Sequence, residues 1–502
     1  MKQLFFGDCL ERLKELYNKN PDGFIDLVYI DPPFNSKRNY NILFENIEMN
    51  DTKAQKEAFA DTWSNISYVD ALNDLYDLNK DTYTFIKTLD SINISKSIVS
   101  YLTTMAIRIY YIRKVLKKTG SFYLHCDPNM SHYLKIVCDL IFGKENFRNE
   151  IVWCYKRWTS KQDNFQNMHD IILRYSSSSK VIWNQLYDDF TEQTKKRIKG
   201  GKKINTFIDE FGKKKIRATD ELSPGVPMCD YWNIHVIAGQ AKERLGYPTQ
   251  KPEALLDRII KASSNEGDIV ADFFCGCGTT IAVANRLNRQ WIGVDISHLA
   301  IRLIKKRLTD PYEGEMKNKI INQIEIHGFP KDIASAKELA QKVLKGRFEF
   351  QEWVIEVLLN GIHNPKKIGD GGWDGYITFM KSEKDKGIIL IEVKSGGVTV
   401  KNMREFKDVI NSENADIGIF VCFQDDVTKP MELAAKDAGK YMGYKFDRIQ
   451  IITIEDLLSG KEIRIPGGVD NNTFKTATKD VRPENTNNQL DMEYSQEDKS
   501  SS

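Results

Sequence analysis

Short apolar runs that stop at an acidic residue or a glycine recur along the first 310 residues and predict strands that feed helices. Lys2 to Gly7 (KQLFFG) ends at Asp8 and precedes the helical CLERLKELY, and Ile25 to Ile30 (IDLVYI) ends at Asp31. After residue 265 the pattern returns. Asp268 to Phe274 (DIVADFF) leads into a glycine-rich turn and the helical TTIAVANRL, and Trp291 to Val294 (WIGV) ends at Asp295 before HLAIRLIKKRL. Between these pairs, Ile94 to Lys118 reads as a long amphipathic helix closed by Gly120, then SFYLHC as a strand and SHYLKIVCDLIF as a helix. EIVWCYKR and HDIILRYS predict two further strands. Acids and glycines at the ends of apolar strands indicate an open α/β sheet, whose carboxyl edge is where ligands bind.

A second strand-helix pattern begins after a charged, polar connector at 311–345. It predicts a helix from Phe350 to Leu359, strands near Tyr376 to Met380 and Ile388 to Val393, a helix near Val400 to Ile410, a strand from Ile417 to Phe423, a helix from Pro430 and a strand near Ile449 to Ile454. Residues 346–466 thus read as a smaller α/β domain, and the polar stretch 467–502 as a disordered tail.

Composition narrows the function classes. With 72 Lys and Arg against 70 Asp and Glu, the net charge of +2 excludes a polybasic binder. The charge is unevenly placed, however: Lys195 to Arg217 holds ten Lys or Arg opposed only by Asp209 and Glu210. Eight cysteines without a C-x-x-C pair fit neither a disulfide framework nor a zinc site. No run is apolar enough to span a membrane and no signal-peptide core opens the chain, so the expected location is cytoplasmic. No G-x-x-x-x-G-K-[ST] occurs, so any ATP-driven step calls for a separate subunit.

Two motifs carry chemistry. Asp31-Pro32-Pro33-Phe34 holds the only Pro-Pro pair, which stiffens a turn presenting a carboxylate, a carbonyl and an aromatic face. On its own it is also compatible with a rigid strand-to-loop turn. In Asp272-Phe-Phe-Cys-Gly276-Cys-Gly278-Thr279-Thr280 a strand runs into a glycine turn that opens a helix, where free amides and close backbone approach suit a polar ligand. Asp295 follows Asp272 by 23 residues at the end of the next strand, near the spacing of about 20 at which an acid grips a ribose. Together they point to an adenosyl cofactor.

This arrangement resembles the beta class of DNA amino-methyltransferases, especially type III-like modification methylases, over roughly residues 1–310. The supporting motifs are Gly7-Asp8-Cys-Leu-Glu, Gly120-Ser-Phe-Tyr-Leu-His-Cys-Asp127, Tyr247-Pro-Thr-Gln-Lys-Pro252 and the glycine turn. The resemblance implies a Rossmann-like sheet, circularly permuted in sequence, with a target-recognition region at about 156–246. It implies S-adenosylmethionine as donor, with Asp272, Phe274, Gly276, Gly278 and Thr279 in the cofactor motif, Asp295 on the ribose, Asp8 near the adenine, and Thr249 and Lys251 completing the pocket. Phe273 stands where the family usually has proline, which loosens the turn. Asp31 and the Pro32 carbonyl then accept the N–H groups of a flipped base whose face stacks on Phe34. The Asp-first tetrapeptide is associated with adenine N6, and cytosine N4 is the alternative. The basic segment, with Trp153, Tyr155, Lys156, Arg157 and Trp158 interleaved nearby, is expected to meet double-stranded DNA.

In the second domain Glu392 and Lys394 share a strand face, about 7 Å apart along the chain. An E-x-K triplet alone is uninformative, as Glu315-Met-Lys317 illustrates. With Asp374 on the preceding strand, two carboxylates and an ammonium suit a hard cation and a polarised water. This resembles the PD-(D/E)xK nucleases, specifically Mrr-like restriction domains. The resemblance implies Mg²⁺ on Asp374 and Glu392, with Lys394 orienting water and Gln351, Glu352 or Glu356 assisting. The expected whole is an adenine methylase with an attached endonuclease in restriction-modification or defence. A silent DNA-binding tether is the alternative for the second domain, and a homodimer and a separate ATP-dependent restriction subunit remain open as partners.

Overall fold

The computed structural model describes residues 1–33, 68–157, 159, 163–199, 204–208, 212–218, 224–247, 249–342, 346–364, 371–381, 386–441 and 446–466. Phe34, Trp158 and the expected tail lie outside the described residues, as do parts of the basic segment.

In chain order the first strands are β1 (Lys2–Phe6), β2 (Ile25–Ile30), β3 (Leu116–Cys126), β4 (Phe147–Cys154) and β5 (His169–Ser176). Four short strands follow, β6 (Tyr187–Asp188), β7 (Ile204–Ile208), β8 (Lys214–Ala218) and β9 (Val226–Pro227), which pair among themselves, β6 with β9 and β7 with β8. β10 (Tyr231–Asn233), β11 (Ile269–Asp272), β12 (Gln290–Asp295) and β13 (Glu325–His327) return to the large sheet. Its order is β10, β4, β5, β3, β2, β11, β12, β1, β13. Only β5 runs antiparallel to its neighbours β3 and β4. Late strands β11 and β12 thus lie between early strands β2 and β1, so the chain is an α/β protein with a circularly permuted, doubly wound sheet.

Both faces of this sheet are covered, which is why β2 is buried along its whole length. Val28 and Ile30 pack towards the helices Cys9–Lys19 and Lys96–Val115, while Leu27 and Tyr29 pack towards Glu253–Ser263 and Thr279–Arg286. The strand expected at SFYLHC starts earlier, at Leu116, directly after the helix ends. Leu116 pairs with Ile25 before the register shifts, and Lys117 reaches the buried Asp26 carboxylate, 2.8 Å from each oxygen. That ion pair draws a polar stretch into the sheet.

The smaller sheet holds β14 (Ile362–His363), β15 (Gly375–Met380), β16 (Lys386–Val393) and β17 (Ile417–Cys422). After the hairpin β18 (Lys440–Tyr441) and β19 (Phe446–Asp447) it ends with β20 (Ile449–Thr453), in the order β14, β15, β16, β17, β20. The connector at 311–345 is not the plain linker that its polar composition suggests. It forms a helix (Gly314–Ile321), strand β13 on the free side of β1, and a helix (Ile333–Gln341) opened by an Asp332 and Ser335 capping box. Ala336 of that last helix is buried in the core of the smaller sheet with Phe350 and Trp353. Among the described residues, no helix is long and apolar enough to cross a membrane.

Candidate active sites

Parallel pairing brings the carboxyl ends of β1, β2, β11 and β12 to one edge of the large sheet, with Phe6 opposite Asp295 and Asp272 opposite Gly293. The glycine turn leaves β11 there. Gly276 and Gly278 have φ of 49° and 74°, the left-handed region that glycine enters without strain. A Cβ on Gly278 would lie 2.5 Å from Ile304 Cγ1, so the position has no room for a side chain. Asp272 is buried and braces this turn: it accepts the Phe274 amide at 3.0 Å and the Thr280 hydroxyl at 2.6 Å. Burial pushes its carboxyl up to about 7, against the pull of these hydrogen bonds. Phe273, in the place of the expected proline, is buried in the core, so it anchors the turn by packing.

Asp295 accepts the Gly276 amide at 2.8 Å and the Ser297 amide at 2.9 Å. Its burial raises the carboxyl to about 6 while the amides favour the charged form. Thr279 ties the turn to the Lys251 segment, donating to the Lys251 carbonyl at 3.2 Å and receiving Arg307 at 3.1 Å. Thr249 is exposed at the tip of that segment.

Asp8 caps the helix Cys9–Lys19 through the Leu10 amide at 2.7 Å, and both its oxygens receive Arg108 Nη2 at 2.9 Å. Sequence reading missed Arg108, although an arginine inside the apolar run MAIRIYYI was a signal. Its guanidinium is buried, and the nearby Cys9 and Asp8 hold its proton against desolvation.

Asp31 immediately follows β2, next to buried Pro32. Lys251, expected with the cofactor, donates to Asp31 Oδ2. On the other side His125 Nδ1 lies 4.0 Å from Asp31 Oδ1. Nothing in the spacing announced the Lys251 contact, which joins residues 220 positions apart.

In the smaller domain Asp374 immediately precedes β15, and Glu392 lies on β16. Asp374 Oδ2 accepts the Val393 amide at 2.7 Å, and Oδ1 accepts Gln351 Nε2 at 3.0 Å. Lys394 Nζ lies 2.6 Å from Glu392 Oε1. Of the three assisting candidates, Gln351 reaches the site, whereas Glu356 turns to His363 at 2.5 Å. Burial raises the Glu392 carboxyl to about 7 despite Lys394, with Asp374 adding to the rise. Its Oε2 is buried without a hydrogen-bond partner, an orphan acceptor that fits a cation ligand. Among the described residues no group of three or more His, Cys, Asp or Glu is placed to hold a metal.

Comparison with known proteins places both domains in families. A family model described as DNA methylase matches residues 25–306, and one described as restriction endonuclease matches residues 346–459. The chain belongs to the DNA methylase family and carries a restriction-endonuclease domain after it. It is 31% identical over 261 residues to the type II methyltransferase M.EcaI of Enterobacter cloacae, covering 41% of this chain and 57% of that protein. It is 26% identical over 345 residues to the type III restriction-modification enzyme StyLTI Mod subunit of Salmonella typhimurium, covering 57% of this chain and 50% of that protein. It is 26% identical over 308 residues to the DNA adenine methyltransferase YhdJ of Escherichia coli, covering 61% and 82%. The chain therefore spans about half of the length of the first and second of these relatives.

Proposed function

We propose that the chain methylates adenine N6 in double-stranded DNA with S-adenosylmethionine as donor, and that its second domain is a Mg²⁺-dependent endonuclease. The observation that carries the first half is the meeting of Asp31, the Gly276 and Gly278 turn and Asp295 at adjacent carboxyl ends of one permuted sheet. The left-handed turn and its amides fit an adenosyl group, and the Asp295 carboxylate keeps lone pairs for ribose hydroxyls beyond the two amides it accepts. The family match and the relative named an adenine methyltransferase support the base assignment.

S-adenosylmethionine, when bound, supplies a methyl group on a sulfonium, already activated for transfer. The protein's task is to make a poor nucleophile better. An exocyclic amine shares its lone pair with the ring; Asp31 and the Pro32 carbonyl accept its two N–H groups and favour a pyramidal nitrogen. Their fixed position at the end of β2 converts the reaction to an intramolecular one. Lys251 must leave Asp31 Oδ2 for that oxygen to receive the amine.

In the second domain Asp374 and Glu392 would hold Mg²⁺, whose charge would polarise the scissile phosphate, and Lys394 would orient the attacking water. Gln351 fixes Asp374.

Incubation with unmethylated plasmid DNA and labelled S-adenosylmethionine, followed by mass spectrometry of the nucleosides, tests the first half. N6-methyladenine, absent with Asp31→Ala, is expected; N4-methylcytosine would overturn the base assignment. Mg²⁺-dependent nicking that survives Asp374→Ala would remove the proposed nuclease site.

A further inference from the structure

Behind Asp31 lies a buried polar chain that crosses four neighbouring strands and that the methyl-transfer reading leaves unused. His125, near the end of β3, is fully buried. Its Nδ1 lies 2.8 Å from the Tyr29 hydroxyl on β2, and its Nε2 lies 3.3 Å from Asp170 Oδ2 on β5. The other Asp170 oxygen accepts the Tyr155 hydroxyl at 3.1 Å, just beyond β4. Trp153 stands edge-on to the imidazole, with ring centroids 5.5 Å apart at 84°. Among the described residues the groups facing His125 include Tyr29 from β2, Asp31 just after it, Asp170 from β5 and the Trp153 ring from β4; Lys251 acts on both Asp31 and Asp170.

The protonation pattern follows from these partners. Burial works against charge on Asp170, yet the bonds from His125 and Tyr155 and the nearby Lys251 hold its carboxyl below the ordinary value. An anionic Asp170 accepts the Nε2 proton, and in the tautomer this bond favours Nδ1 is the acceptor. Burial pushes Tyr29 far above the usual phenol range, so its hydroxyl keeps its proton and donates to Nδ1. The chain is an imidazole braced by a carboxylate, with Nδ1 4.0 Å from Asp31 Oδ1.

Methyl transfer creates a proton that must go somewhere. When the amine nitrogen bonds the methyl carbon, the C–S bond breaks with its electron pair going to sulfur, and the nitrogen becomes a cation bearing one proton too many. Asp31 is the group that touches this proton. A protonated Asp31 would not be ready for another amine.

We propose that His125, braced by Asp170, is a positioning residue of the methylase site: once the Tyr29 hydroxyl turns its proton away from Nδ1, that nitrogen accepts the proton that Asp31 takes from the methylated amine, which returns Asp31 to the carboxylate. Asp170 stabilises the imidazolium that results, and the proton returns to solvent when the product base leaves. This inference rests on the methyl-transfer reading. It adds His125 and Asp170, which lie outside both the Asp31 tetrapeptide and the glycine turn.

The test is single-turnover methylation of unmethylated plasmid DNA across pH, in the full chain, for the native protein and for His125→Gln, Asp170→Asn and Tyr29→Phe. Calorimetric titration with S-adenosylmethionine and thermal unfolding run alongside. The expected result is cofactor affinity within about twofold of native for all three. His125→Gln and Asp170→Asn should slow methylation by about a hundredfold, in the range of lost proton transfer. In both, the shape of the pH–rate profile should change, which a purely structural loss would leave intact. Tyr29→Phe should change the rate least, because it removes a donor to Nδ1 and leaves the acceptor. An equal loss at every pH, unchanged rates, or failure of all three variants to fold would overturn the proposal and leave the chain a structural brace. Absence of methylation by the native protein would overturn the methylase reading itself, a separate outcome.

Discussion

Single residues decide whether each site can form at all. Gly278 combines a φ of 74° with a missing Cβ that would meet Ile304 Cγ1 at 2.5 Å. Gly278→Ala should cost about 1 to 3 kcal/mol from backbone strain alone, with more from the displaced Ile304. Thermal unfolding should show a lower midpoint, and calorimetry a weakened S-adenosylmethionine affinity; an unchanged midpoint would show that the turn relaxes. In the second domain Gln351 holds Asp374 and also reaches the Val393 carbonyl at 3.3 Å. Gln351→Ala should therefore lower Mg²⁺-dependent cleavage by about tenfold or more, as expected for loss of a group that orients a metal ligand. Methylation of the same DNA should be unaffected. A matched loss of both activities would mean that the substitution acts through folding rather than through Asp374.

At the scale of elements, what could be read from the chain was set by how locally each element is determined. β2, β11 and β12 are continuous apolar runs because both sheet faces are covered, so they were visible, and the acids at their ends marked the binding edge. β13 has three residues and no full burial, and it exists because β1 offers an unpaired edge. No local pattern could show it. The same holds for the site: Asp31 and Asp295 stand at strand ends, whereas His125 and Asp170 meet from 45 residues apart on neighbouring strands. The helix His298–Thr309 was predicted, but its first residue has an unannounced role. His298 is buried in a three-ring cluster, its centroid 4.0 Å from that of Phe6 and 5.4 Å from that of Phe329, and neither ring nitrogen has a hydrogen-bond partner. Desolvation lowers it to about 4, with Glu356 opposing and His363 adding to the shift. Between the usual histidine value of 6.5 and 4 the unfolded chain binds a proton that the folded one resists, so stability falls as pH drops through that window, by up to about 3 kcal/mol. The raised Asp272 and Asp295 act in the opposite sense, their penalty fading as pH falls. The difference between native protein and His298→Phe isolates the histidine. The variant keeps the stack, and it should be more stable than native at neutral pH and increasingly so toward pH 4 in denaturant titrations. A constant difference across pH would show that His298 does not titrate as described.

For the whole molecule the question is where the methylase half ends. Sequence composition put the boundary at 310, because 311–345 is polar. The structure ties part of that stretch to the large sheet: Gln3 to Phe5 pair with Glu325 to His327, and Phe5 stacks on His327 at 4.5 Å. Phe329 adds a stack on Phe6 at 4.8 Å. A fragment of residues 1–310 would lose all of these contacts and leave β1 with an open edge, a template for pairing with other chains. A fragment of residues 1–331 keeps the strand and both stacks and stops before the Ile333–Gln341 helix that belongs to the other core. The longer fragment should be monodisperse and should retain methylation when assayed beside the full chain. The shorter should aggregate or unfold at lower temperature, although it contains every residue assigned to the methylase site. Size-exclusion chromatography and thermal unfolding of the two fragments distinguish the cases. Equal behaviour would mean that β13 is carried by the second domain rather than required by the first. The direction of the expected result follows from edge pairing alone, since the twenty-one extra residues supply no catalytic group and change only what covers β1.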